Sequence, residues 1–68
     1  MGVPELLEIK DALVEFQVAK SHLEDACSSL HRALTMLEGA GGEEAKNLRW
    51  RSQRILQILR RLISDSAT

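Results

Sequence analysis

Leu37-Glu38-Gly39-Ala40-Gly41-Gly42-Glu43 is the stretch whose reading decides the fold. Its three glycines in four positions supply the left-handed backbone conformations that end a helix, and the chain carries no second break of this kind. Two helices follow, one on each side. The first starts near Pro4, because proline suits the first helical position and Glu5 and Glu8 sit on the positive end of the helix dipole. It runs to about Leu37. The second opens with Glu43 and Glu44 for the same electrostatic reason and is expected to fray around Ser64 to Ser66, leaving Ala67 and Thr68 as a tail. Beyond Pro4 there is no proline and no run of β-branched residues, so nothing argues for strands. The fold class is therefore all-α: an antiparallel hairpin of helix 4–37, loop 38–42 and helix 43–64, forming a single domain over residues 1–68.

Periodicity says how the two helices meet. Counting by sevens places Ile9, Phe16, Leu23, Leu30 and Leu37 in one column of the first helix, with Ala12, Ala19, Ala26 and Ala33 three residues further on. Large residues beside a column of alanines let a neighbouring backbone come close, and Leu13, Cys27 and Leu34 widen the stripe. In the second helix Ala45, Leu48, Ser52, Ile55, Leu59 and Leu62 repeat the same spacing, with Leu56, Ile58 and Ile63 at its edge.

The helices are unequal, about 50 Å against about 33 Å at 1.5 Å per residue. With Glu43 placed opposite Leu37, the return brings Ser64 to about Phe16 and leaves Leu6, Leu7, Ile9 and Leu13 without intramolecular cover. Leu7, Val14 and Val18 fall on the far side of the helix from the seam, so its first half is apolar nearly all round. Helices of that kind are normally buried. Leu56 and Ile63 lie at the margin of an apolar arc wider than one neighbour covers, so obligate association, with a second copy or another chain, is the expectation.

Size agrees. A chain of 68 residues buries a small fraction of its surface, and small domains usually compensate with disulfides, a metal or oligomerisation. One cysteine, Cys27, permits no intramolecular disulfide and fits a reducing compartment, so a cytoplasmic location is expected. No apolar run approaches the roughly 18 residues of a membrane span, and MGVPELLEIK lacks the basic leader and apolar stretch of a signal peptide. Gly2 follows Met1, but Leu6 stands where a myristoylation signal wants serine or threonine.

Net charge is −1, yet it sorts by helix. Residues 1–38 hold seven acidic side chains against three basic, and residues 39–68 hold six basic against three acidic. The plain reading is two solvated faces that help choose the antiparallel partner. Six basic residues on one amphipathic helix also suit phosphates or an anionic membrane, but the acidic first helix beside them weakens both, so nucleic acid is disfavoured. Trp50 projects away from Ile55, among Arg54, Gln57 and Arg61. Two readings stand: the ring lies under Arg54 in a cation-π contact, or the Trp50, Arg54 and Arg61 patch anchors a partner, tryptophan and arginine being enriched among binding hot spots.

Chemistry has little footing. Cys27 and His31 share a face one turn apart, but two ligands are too few for a metal, and His22 points elsewhere. Glu43 and Glu44 read as dipole partners, no polar set converges on a cleft, and neither an enzyme nor a cofactor is expected.

Two helices with the first longer, the Gly39 to Gly42 break, then Glu44-Ala45-Lys46 and a lone Trp50 resemble the small E-type co-chaperones of bacterial type III secretion. The resemblance covers the whole chain in ground plan; the first helix here has a cleaner leucine and alanine heptad and the second is richer in arginine. It implies pairing with a larger tetratricopeptide-like chaperone, the two together holding a secretion needle subunit unpolymerised in the cytoplasm. It also implies partner contacts at Leu6, Leu7, Val14, Val18, Leu56 and Ile63, with Trp50 and Arg54 beside them. The reading from another class is a homodimeric four-helix bundle that binds nucleic acid through its arginines; a third is a segment of a longer coiled-coil scaffold.

Overall fold

A computed structural model describes residues 3–67, so Gly2 of the myristoylation argument and Thr68 of the tail lie outside the described residues. The chain is all-α: α1 is Val3–Leu37 and α2 is Glu43–Ser66, antiparallel across a short loop. The loop is built by backbone geometry. Glu38 N–H donates to the Thr35 carbonyl at 3.2 Å and Ala40 N–H to the Leu37 carbonyl at 3.0 Å, which closes α1 with tight turns. Gly39 takes a φ of 78°, and Gly42, at the N-cap of α2, takes 100° with ψ 160°, a region in which only glycine rests without strain. Gly42 has no side chain to cap α2, so its carbonyl does the entry work by accepting from Lys46 N–H at 3.1 Å.

A Cβ at Gly41 or Gly42 would meet nothing within 4 Å, so any difference between the two is conformational. Gly42→Ala is expected to cost about 1–3 kcal/mol. Gly41→Ala, with no positive φ to violate, is expected to be neutral or to stabilise by about 0.4–1 kcal/mol through the unfolded state. Urea denaturation followed by helical circular dichroism reads both; equal effects at the two sites would refute the backbone argument.

The seam on α1 matches the heptad: Leu23, Ala26, Cys27, Leu30, Ala33, Leu34 and Leu37 are all partly buried. On α2 the register is corrected. The covered residues are Ala45, Arg49, Ser52, Leu56, Leu59, Ile63 and Ser66, whereas Leu48, Ile55 and Leu62 stay exposed. Both registers share Ala45, Ser52 and Leu59; they differ in the second column, and Arg49 decides it. Its Nη1 donates to the carbonyl of Leu37 at 2.9 Å and to that of Ala40 at 2.7 Å, so it must face α1 and the loop. Seven and fourteen residues later, Leu56 and Ile63 face the same way.

The core is thin. Only Leu56, at 5% exposure, and Ser52, at 4%, are buried among the described residues. The hairpin measures 60 × 16 × 15 Å with a radius of gyration of 17.5 Å, against about 11 Å for a compact chain of this length. Its 5718 Å² of accessible surface compares with about 4300 Å² for a folded monomer of 7.6 kDa. A rod of this kind leaves a great deal of apolar surface in water.

Candidate partner-binding surface

Coverage of α1 ends sooner than chain length alone suggests. Partial burial begins at Lys20, and none of residues 4–19 is covered, so α2 returns about one turn short of Phe16. The loop accounts for the difference: Ala40 is itself half-buried, and Arg49 already stands beside Leu37 and Ala40, so the start of α2 faces the loop and the end of α1. The bare overhang is correspondingly longer.

Along that overhang the α1 seam continues without interruption. Leu6, Ile9, Leu13 and Phe16 keep the same alternating spacing as Leu23, Cys27, Leu30, Leu34 and Leu37, with Lys20 at the junction. Leu6, Ile9 and Leu13 are between 51 and 60% exposed, and Phe16 is little better covered. On the opposite side, Leu7, Val14 and Val18 are exposed too. The overhang is thus apolar on two faces, with Glu5, Glu8, Asp11 and Glu15 against one Lys10 between them.

A second bare stripe lies on α2, where Leu48, Ile55 and Leu62 recur every seven residues beside Ile58, each about half-exposed. From Lys46 to Ser64 this helix holds six basic side chains and no acidic one. Two of the six have intramolecular roles. Arg49 is tied to the loop, and Arg54 places its guanidinium carbon 5.4 Å from the centroid of the Trp50 ring. That is the cation-π contact expected from the spacing, yet Trp50 stays 59% exposed beside Gln53, Gln57 and Ile58.

The residues expected to touch a partner therefore divide. Leu6, Leu7, Val14, Val18, Trp50 and Arg54 are all on open surface. Leu56 and Ile63 are not free: Leu56 is the most buried apolar side chain of the hairpin and Ile63 is half-buried one heptad further along. What the sequence reading missed on this surface is the Leu48, Ile55 and Leu62 stripe, which it assigned to the seam.

No three His, Cys, Asp or Glu side chains come together to hold a metal ion among the described residues. His31 and Cys27 line a shallow surface groove with Arg32 and Arg60, two cations that would oppose a bound cation there. No described helix is long and apolar enough to cross a membrane. No family model, curated protein or solved structure matches the chain.

Proposed function

We propose that the chain is a stoichiometric protein-binding hairpin, not an enzyme, whose bare α1 seam is completed by a helix of another chain. The observation that carries this reading is the continuity of the seam: the same heptad that α2 fills beyond Lys20 runs on through Leu6, Ile9, Leu13 and Phe16 with nothing over it. The resemblance to the E-type co-chaperones supports the finer assignment. In it, the hairpin pairs with a tetratricopeptide-like chaperone in the cytoplasm, and the pair keeps a needle subunit from polymerising. Leu6, Leu7, Val14 and Val18 contact the partner, Trp50 and Arg54 extend the contact along α2, and Leu56 and Ile63 serve it indirectly by holding α2 in place.

The test is affinity capture of the full chain from cells that make it, with the mass and composition of the eluted complex determined. A defined complex containing a helical-repeat chaperone and a needle-type subunit is the expected result. Leu7→Glu with Val14→Glu should abolish it while leaving the helical signal intact, because both side chains are exposed in the free hairpin. Binding to an apolar interface should change little between low and high salt, whereas capture of nucleic acid with a steep salt dependence would replace this reading with the regulator reading. Recovery of the chain with no protein bound would refute the co-chaperone assignment.

A further inference from the structure

Two unpartnered stripes on one molecule, the acidic overhang of α1 and the basic outer stripe of α2, are complementary to each other but are held apart. Ile9 and Ile55 are separated by roughly 30 Å along the hairpin, so neither stripe reaches the other within one chain. We propose that the isolated chain forms a two-fold dimer in which α2 of each copy lies on the α1 overhang of the other. This does not rest on the co-chaperone reading; it concerns what covers the surface when no other protein does.

Three observations favour a second copy as the occupant. The lengths agree: Leu48 to Leu62 on α2 and Leu6 to Lys20 on α1 span equal stretches of helix. The charges agree: residues 4–19 hold four acidic side chains against one basic, and residues 46–64 hold no acidic side chain and, leaving out Arg49, which is turned to its own loop, five basic ones. Direct pairing of two overhangs would instead set like charges together. Finally, the alanine column fits a dyad. If the two α1 helices run antiparallel and cross at Ala19, Ala12 of one copy stands level with Ala26 of the other; Ala12 and Ala19 are bare, Ala26 is only partly covered by its own α2, and the small side chains allow close approach.

The registers then close. Each α1 seam is filled along its whole length, from Lys20 onward by its own α2 and before Lys20 by the partner's. The incoming α2 runs parallel to the overhang, which brings Ile55 beside Ile9 and Leu62 beside Phe16 of the other copy. The two α2 helices meet end to end near the dyad without overlapping, because each stops at Lys20 of its own α1. The arrangement covers both stripes at once, and a partner protein that binds the overhang would have to displace it.

Sedimentation equilibrium of the full chain over a wide concentration range tests the association, and cross-linking tests the geometry. The expected species is twice 7.6 kDa. Ile55→Glu, a half-exposed position in the hairpin, should raise the dimer dissociation constant by at least about tenfold with helicity of the monomer unchanged. For the geometry, Ile9→Cys and Ile55→Cys are made separately in a Cys27→Ser background, mixed, and treated with a short bifunctional maleimide. Ile9-to-Ile55 products between copies are expected, and products linking like positions are not. A monomer at every concentration would overturn the proposal, as would a dimer indifferent to Ile55→Glu or one linked only through Ile9 to Ile9. A monomer that still captures a different protein would overturn it while leaving the proposed function standing.

Discussion

Leu56→Ala is expected to destabilise the hairpin by about 2–3 kcal/mol, near the lower end of the range for buried leucines because a two-helix seam can partly collapse onto the space left. In a chain this short that is a large part of the total, since roughly 0.05–0.15 kcal/mol per residue is typical of folded domains. Leu56 is the one buried apolar side chain among the described residues, so its loss removes the centre of the thin core they form. The neighbouring residue supplies the contrast. Ile55 keeps 47% of its surface in water, so Ile55→Ala should cost less than about 1 kcal/mol in the monomer. Urea midpoints of the two variants, measured at one low protein concentration so that self-association does not intrude, decide between the registers. If Ile55→Ala were the more damaging, α2 would be rotated to face α1 through Leu48, Ile55 and Leu62, and the outer stripe would vanish with it.

That rotation is also where reading the sequence stopped short. The glycine break, the helix starts at Pro4 and Glu43 and the α1 seam are written in residue types whose local physics is unambiguous, and α1 and α2 begin and end within two residues of where those signals put them. On α2, by contrast, two columns compete beside Ala45, Ser52 and Leu59. One begins with Leu48 and the other with Arg49, and apolar counting prefers the leucine. The arginine column wins because α1 ends with carbonyls that need a donor, a demand that belongs to the loop and not to the helix carrying the residue. The leucine column puts Leu56 and Ile63 at the edge of the stripe, open to a partner, whereas the arginine column turns them toward α1, where Leu56 is buried and Ile63 half-buried. The overhang was legible because it depends only on relative length and on apolar residues all round α1. Even there, the loop's own use of the first turns of α2 shifted its boundary from Phe16 to Lys20.

Arg49→Ala is expected to be nearly as damaging as Leu56→Ala, at about 2 kcal/mol, although it deletes a charged residue from a helix rich in them. Its guanidinium donates two hydrogen bonds, to the carbonyls of Leu37 and Ala40, where the negative end of the α1 dipole and the turn that follows it meet. Hydrogen bonds from a charged donor contribute about 1.5–3 kcal/mol each when intact and partly shielded, and water would recover some of the loss at this half-buried site. A shift of this size lowers the melting temperature of a domain of this length by roughly 8–16 °C. Arg51→Ala, two residues from the latch, on the other side of the helix and exposed, should change stability by no more than about 0.5 kcal/mol. Arg49→Lys is the sharper variant: it keeps the charge but replaces the planar fork with a point donor, so a partial loss is expected. Thermal melts of the three variants separate the latch from a general effect of positive charge. Equal shifts for Arg49→Ala and Arg51→Ala would mean that the loop is held by its glycines alone, and that some other feature must choose the face α2 turns toward α1.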